Sequence, residues 1–106
     1  MNPTDMPKLS VVMSVYNGER YLDECMQSIL QQSFTNFEFI VINDGSTDNS
    51  LEILKRYQNS DSRICIINQS NAGLSTSLNR GIAIAKGTFI ARMDADDISY
   101  PTRFEE

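Results

Sequence analysis

Short apolar runs alternate with stretches of helical periodicity along this chain, and this alternation restricts its fold more than any other feature. The apolar runs cover residues 9–16, 37–42, 64–67 and 89–93, and their β-branched and aromatic residues favour buried strands. Between them, apolar residues recur every three or four positions, as on one face of a helix. These stripes are Leu22, Cys25, Met26, Ile29 and Leu30, then Leu51, Leu54 and Tyr57, then Leu74, Leu78, Ile82 and Ala85. The order β-α-β-α-β-α-β predicts an α/β fold, a mostly parallel sheet with helices on both faces.

Residues that favour turns and caps mark the expected ends of these elements. Residues 1–7 are polar and contain two prolines, which predicts a flexible N-terminal arm. Ser46, Thr47 and Asp48 each offer an N-cap for the second helix, and Gly87 offers a C-cap for the third. Pro101 is expected in the first turn of a further helix.

Composition excludes several classes of protein. The chain has 106 residues, 41% of them apolar, which fits one domain with a modest core. A net charge of −5 without a run of Lys or Arg argues against binding to nucleic acid. No apolar run is long enough for a transmembrane segment, and the N-terminus lacks a signal-peptide pattern, so we expect a cytoplasmic protein. We expect Cys25 and Cys65 to be reduced and buried, with a disulfide as the alternative.

Polar residues follow each predicted strand, where parallel strands bring their carboxyl ends to one edge of the sheet. Tyr16, Asp44, Gly73 and the acidic stretch 94–97 are therefore expected around one crevice. A Gly-x-Gly-x-x-Gly turn and a P-loop are both missing from the sequence, so a phosphorylated ligand would need a bridging cation. Alone, Asp94-Ala95-Asp96-Asp97 is more typical of a solvated turn. Its predicted place at this edge favours a site for a hard divalent cation instead.

In these motifs the sequence resembles the family 2 glycosyltransferases, which are inverting enzymes of the GT-A fold. The resemblance is carried, in order, by residues 11–18, 43–48, Asn71-x-Gly73, Asn79-x-Gly81 and 91–97, and it covers nearly all of the chain after Lys8. The last segment is like the DXD motif of members that build bacterial capsular and cell-surface polysaccharides. The resemblance implies a Rossmann-like GT-A sheet, with residues 8–106 as the nucleotide-sugar-binding part of that domain.

The family's binding residues carry over to matching positions of this chain. The resemblance implies that Tyr16 lies against the base of a UDP-sugar, with Ser14 and Asn17 nearby, and that Asp44 accepts a hydrogen bond from the uracil imide. It implies that Asp94 contacts the ribose and helps to orient the metal, and that Asp96 coordinates Mn²⁺ or Mg²⁺. Gly73 belongs to the same nucleotide-binding set. Asn43 stands where the family commonly has a first Asp, and Ser14 where many members have Pro.

The family's catalytic base lies in the second half of the domain, which binds the saccharide acceptor. No residue of this chain matches it, so we expect the base beyond Glu106 and interpret the chain as a truncated part of a longer enzyme. We expect it to bind UDP weakly with metal, to transfer no sugar and, with a sheet edge uncovered, to risk self-association. A location at the inner face of the membrane is the alternative to a free cytoplasmic one. The alternatives in function are a non-catalytic nucleotide-binding module and a signalling receiver domain.

Overall fold

A computed structural model describes residues 7–31 and 36–94, with the backbone alone described at 93 and 94. Within these ranges strands and helices alternate as the sequence predicts. The elements are β1 (Leu9–Val15), α1 (Glu19–Leu30), β2 (Phe37–Asp44), α2 (Ser50–Ser60), β3 (Ile64–Gln69), α3 (Leu74–Ile84) and β4 (Phe89–Asp94). Residues 1–6 of the expected arm, the helix expected at Pro101, and Asp96 lie outside the described residues.

All of the strand pairs in the described sheet are parallel, and the spatial order is β3-β2-β1-β4. The chain moves outward from β1 to β2 and β3, and then returns to the other side of β1 to form β4. The direction of strand order therefore reverses between β1 and β4, which is where ligands bind in open α/β sheets. The prediction of a Rossmann-like parallel sheet is confirmed.

Successive side chains of the two central strands point to opposite faces of the sheet and form two cores. Val11, Met13 and Val15 of β1 belong to the larger core, with buried residues of α1 and α2 such as Leu22 and Leu54. The smaller core joins Val12, Ile40 and Ile42 to Leu78 of α3. Helices α1 and α2 thus cover one face and α3 covers the other, as predicted.

Two helix ends differ from the sequence prediction. α2 begins at Ser50 with Asn49 as its N-cap residue, so none of Ser46, Thr47 and Asp48 is the N-cap. α3 ends at Ile84, and Gly87 is therefore not its C-cap. A Cβ at Gly87 would lie 2.5 Å from the backbone nitrogen of Ser10, so glycine serves a close approach of two backbones instead.

The cysteine prediction is half right. Both thiols are free and Cys25 is buried, but Cys65 is exposed. The reason is topological, because β3 pairs only with β2 in the described sheet and its side chains are covered less than those of β1. None of the described helices has the length and apolar character needed to cross a lipid bilayer.

Candidate functional site at the switch point

The carboxyl ends of β1 and β4 meet at the point where strand order reverses. In the parallel register, the Cα of Ser14 pairs with that of Asp94, and the Cα of Val15 pairs with that of Asn43. Tyr16 directly follows β1 and is 55% exposed, which is unusual for a large aromatic side chain beside a buried strand. The structure thus brings Ser14, Tyr16 and the backbone of Asp94 to one edge, as the sequence predicts.

The turn after β1 is fastened to the loop after β2 through Asn17. Asn17 has a φ of 51°, in the left-handed region that Asn tolerates better than most residues. Its Oδ1 accepts hydrogen bonds from the backbone N–H of Thr47 at 2.7 Å and from the Thr47 hydroxyl at 3.3 Å. Its own backbone N–H donates to the Ser46 Oγ at 3.0 Å. Asn17 therefore ties the two loops together through three hydrogen bonds.

A second set of hydrogen bonds joins the amino ends of α1 and α2. The backbone N–H of Glu19 donates to the Asp48 carboxylate at 3.2 Å, and the Asn49 N–H donates to the Glu19 carboxylate at 3.2 Å. The Gly18 N–H donates to the Ser50 hydroxyl at 2.9 Å. These carboxylates satisfy N–H groups at the helix starts and suit the positive ends of the helix dipoles.

The sequence prediction missed this connection between the two loops. Ser46, Thr47 and Asp48 are expected to cap their own helix, yet Ser46 and Thr47 contact Asn17. The Asp48 carboxylate accepts both the Ser50 N–H at the start of α2, at 2.9 Å, and the Glu19 N–H of α1. The sequence does contain a signal for this connection. Three consecutive residues with capping side chains precede one helix, which is more than one helix start needs. Which other loop receives them depends on strand order, and no local pattern contains that information.

Asp44, at the end of β2, is buried and holds the loop after β3. Its Oδ1 accepts hydrogen bonds from the Gln69 side chain at 2.9 Å and the Ala72 N–H at 2.7 Å. Its Oδ2 accepts from the Gly73 N–H at 3.0 Å and, at a long 3.4 Å, from the Asn71 side chain. Asp44 therefore fixes the start of α3. Gly73 takes part in the site through its N–H, which donates to the Asp44 carboxylate.

These donors decide the charge of the Asp44 carboxyl. Burial taken alone raises its pKa, but the hydrogen bonds from Gln69, Ala72 and Gly73 outweigh burial, and the net pKa lies below its ordinary value. Asp44 is therefore ionised at neutral pH. A negative charge beside the amino end of α3 is favourable for the helix dipole.

Asn43 occupies the opposite face of β2 and is also buried, at 2% exposure. Its Nδ2 donates to the Asn68 Oδ1 at 2.9 Å, whereas its Oδ1 has no hydrogen-bond donor among the described residues. Asn43 and Asp44 are neighbours in sequence but point to different cores because strand side chains alternate. The two residues of this motif therefore have different surroundings and different hydrogen-bond partners.

Acid should destabilise the fold through these carboxyls. The pKa values of Asp44, Asp48 and Asp61 are all lowered in the folded chain, below the ordinary value of about 3.9 expected when it is unfolded. Their contribution to stability is therefore complete above that value and is lost as pH falls through the folded pKa values. Urea unfolding between about pH 6 and pH 2 should show this loss. A free energy of unfolding that does not fall across this range would contradict it.

The arrangement is suited to holding a flat, polar ligand. An exposed aromatic ring stands beside loops whose backbones are fixed by side-chain hydrogen bonds, and Asp94 begins the acidic stretch at the same edge. Among the described side chains, no three acidic, Cys or His groups come together as a metal-binding cluster. Asp96 and Asp97 lie outside the described residues, so the metal prediction rests on their sequence position.

Comparisons with known proteins identify the family to which this chain is similar. The family described as Glycosyl transferase family 2 matches residues 10–106. YibD of Escherichia coli, an uncharacterized glycosyltransferase, is 47% identical over 105 residues, which are 99% of this chain and 30% of YibD. This chain therefore spans less than a third of that relative.

Solved structures of larger proteins contain the same fold. Residues 1–349 of S. aureus TarS in complex with UDP superpose with a TM-score of 0.85 at 30% identity, over 92% of this chain and 30% of that one. The mannosyltransferase PcManGT of Pyrobaculum calidifontis, in complex with GDP-Man and Mn²⁺, gives a TM-score of 0.82 over 92% of this chain and 30% of its own. At 22% identity, the second likeness is one of fold alone.

Proposed function

This chain belongs to glycosyl transferase family 2, and from that premise we propose that it is the donor-binding part of a metal-dependent, inverting glycosyltransferase. Its donor is a nucleotide-sugar, and we propose a UDP-sugar because TarS, at 30% identity, has been solved with UDP. The observation that carries the proposal is the exposed Tyr16 ring at the switch point, two residues after Ser14, whose Cα pairs with that of Asp94 in the β1–β4 register. An exposed aromatic face at this place suits stacking against a planar base.

Asp44 is the proposed acceptor for the imide N–H of uracil. A carboxylate offers about four acceptor positions, and strong donors from Gln69, Ala72 and Gly73 already take three of them. The fourth is held by Asn71 at 3.4 Å, the longest of these contacts. The base would therefore replace this long contact, while the Asn71 side chain would keep its bond to the Asp44 backbone carbonyl at 3.1 Å.

The proposed metal ligands are Asp96 and Asp94, with Mn²⁺ or Mg²⁺ as the ion. The donor set fits such an ion, since carboxylate oxygens are its preferred ligands and three acids fall within residues 94–97. When bound, the ion would neutralise the negative charge that builds on the leaving diphosphate. The position of the Asp94 backbone at the end of β4, beside Ser14, supports this proposal.

We propose that the complete enzyme passes the sugar to a saccharide acceptor in bacterial cell-surface polysaccharide synthesis. The acceptor site and the catalytic base are assigned to residues outside this chain, because none of its residues matches the family's base. By itself the chain is expected to bind donor nucleotide weakly and to transfer no sugar. A nucleotide-binding module without chemistry remains the alternative, and sugar transfer by a longer form of the chain would exclude it.

Thermal unfolding with UDP, GDP or NAD, each with and without Mn²⁺, tests the proposal. UDP with Mn²⁺ at about ten times its Kd should add about 1.4 kcal/mol, which is roughly 5–10 °C in Tm for a chain of this size. NAD should give no comparable shift, since its usual glycine-rich turn is missing. No shift with any nucleotide plus metal would contradict the proposal.

The Asp96→Ala variant tests the metal assignment separately. It should still bind UDP without metal as the unmodified chain does, but addition of Mn²⁺ should no longer raise its Tm. Asp61→Ala is a matched control, because Asp61 pairs with Arg63 far along the chain from the proposed site. If Mn²⁺ stabilises the Asp96→Ala variant as before, the ion is held by other residues.

A further inference from the structure

We propose that Asn17 is a positioning residue, which acts through the backbone to hold the Tyr16 ring ready for a planar nucleobase. This inference rests on the proposed function and gives Asn17 a different role from direct contact with the nucleotide. The partners that hold Asn17 are Ser46 and Thr47 of the loop after β2.

The acceptor of the Asn17 side chain is already in use. Its Oδ1 receives the Thr47 N–H at 2.7 Å and the Thr47 hydroxyl at 3.3 Å, which fills both of the positions that an amide oxygen offers. A ligand that hydrogen-bonded to this oxygen would have to break the loop contact. The influence of Asn17 on binding is therefore indirect.

Tyr16 depends on this backbone for its orientation. The Tyr16 side chain makes no hydrogen bond with the described residues and is 55% exposed, so surrounding atoms restrict it little. The left-handed φ of Asn17 turns the chain sharply after Tyr16. The Asn17 N–H belongs to the peptide between Tyr16 and Asn17, and its hydrogen bond to Ser46 holds that peptide in place. Without these contacts the Tyr16 backbone would sample more conformations, and the ring would lose its preset place at the edge of the sheet.

Loss of the Asn17 contacts should leave the fold intact. The start of α1 is held separately, by the Gly18 bond to Ser50 and the Glu19 bond to Asp48. The helix itself is anchored in the larger core through buried residues such as Leu22. A change at Asn17 is therefore expected to affect binding of the base far more than stability.

Three substitutions in this 106-residue chain separate backbone conformation from hydrogen bonding. Asn17→Gly accepts the left-handed φ but has no acceptor, whereas Asn17→Asp keeps an acceptor and tolerates the φ. Asn17→Ala lacks the acceptor and is also strained. The readout is the ratio of two Kd values, one for UDP with Mn²⁺ and one for inorganic pyrophosphate with Mn²⁺. Pyrophosphate has no base, so the ratio removes any effect on phosphate binding of the negative charge that Asn17→Asp adds.

Asn17→Gly should weaken UDP roughly 3- to 10-fold while pyrophosphate is unchanged, which is the usual cost of one poorly ordered side chain. Asn17→Asp should restore the ratio, and Asn17→Ala should weaken UDP at least as much as Asn17→Gly does. Incorporated 3-fluorotyrosine, with the Tyr16 signal assigned by Tyr16→Phe, should show a shifted ¹⁹F resonance in Asn17→Gly before any ligand is added. A merely structural role would not move the ratio.

The outcomes distinguish this inference from the proposed function. An unmodified chain that binds no nucleotide contradicts the proposed function, and the inference falls with it. An unmodified chain that binds UDP, together with an unchanged ratio in Asn17→Gly, overturns the positioning role alone. If Asn17→Gly fails to fold, Ser46→Ala removes only the bond to the Asn17 N–H and should weaken UDP in the same sense, and an unchanged ratio there overturns the role equally.

Discussion

Replacing Asp44 with alanine is expected to lower the free energy of unfolding by about 3 kcal/mol. The substitution removes the acceptor of the Gln69 side chain, the Ala72 N–H and the Gly73 N–H at once. A buried donor left without a partner costs about 1–3 kcal/mol, but the loop residues Ala72 and Gly73 are exposed and water recovers part of that cost. Urea unfolding followed by circular dichroism at neutral pH measures the loss.

Asp44→Asn makes the same test without creating a cavity. Whichever way the amide is turned, its NH₂ group faces either the Ala72 N–H or the Gly73 N–H, so donor opposes donor. We expect a loss of about 2 kcal/mol. Asp61→Asn is the matched control, since Asp61 also has a lowered pKa but pairs with Arg63 near the surface and should cost less than about 1 kcal/mol. Equal losses in the free energy of unfolding at the two positions would show that Asp44 does not hold the loop after β3 in place.

The effect of Asp44 on binding follows from its structural role. If it both holds the loop after β3 and accepts the base imide, its loss should weaken UDP through two routes. Asn71→Ala separates them, because it removes the 3.4 Å contact that the base would replace, together with the 3.1 Å bond from Asn71 to the Asp44 backbone carbonyl, and leaves the stronger donors to the carboxylate in place. That variant should bind UDP at least as tightly as the unmodified chain.

Local patterns predicted the elements and the edge where the site lies, for a physical reason. Burial of strands such as Val11–Val15 requires apolar, β-branched side chains, and burial of one face of α1 requires the three-and-four spacing of Leu22 to Ile29. Alternation of the two implies parallel strands, and parallel strands imply a common edge. Tyr16 and Asp94 were therefore placed correctly from sequence, before any strand order was known.

The contacts that give each site residue its environment could not be predicted in this way. Asn17 meets Thr47 because β1 and β2 are neighbours in a register that pairs Val15 with Asn43. Asp44 meets Gly73 because β3 lies on the other side of β2. These contacts join residues 30 and 29 positions apart in the sequence, so only the assembled sheet determines them.

The wrong prediction of a C-cap at Gly87 has the same cause, since the role of Gly87 is set by the assembled sheet. Substitution of Gly87 is the second change for which we expect a large loss of stability. A Cβ at Gly87 would lie 2.5 Å from the Ser10 nitrogen and 2.6 Å from the Leu9 carbonyl carbon. Those are backbone atoms of β1, which is held between β2 and β4 and cannot move away. The clash between an added Cβ and the β1 backbone could therefore be relieved only by a shift of the loop before β4.

Gly87→Ala is therefore expected to destabilise the fold by about 3 kcal/mol, since overpacking typically costs 1–3 kcal/mol and hydrogen bonds are lost with it. The bonds at risk are the Gly87 N–H to the Ser10 hydroxyl at 2.7 Å and the Phe89 N–H to the Lys8 carbonyl at 3.0 Å. Both dock β4 against β1, so this variant should also displace Asp94 and weaken UDP with Mn²⁺.

Comparison with Gly81→Ala identifies the cause. A Cβ at Gly81 would lie 2.5 Å from a methyl carbon of the buried Val12, but this is a side-chain atom, and alanine gains about 1 kcal/mol in helix propensity over glycine. We therefore expect a smaller net loss at Gly81, about 1 kcal/mol. Thr88→Ala, at an exposed position next to Gly87, should change stability by less than about 0.5 kcal/mol. If Gly87→Ala unfolds at the same urea concentration as Thr88→Ala, the close approach of the two backbones is not what requires glycine at that position.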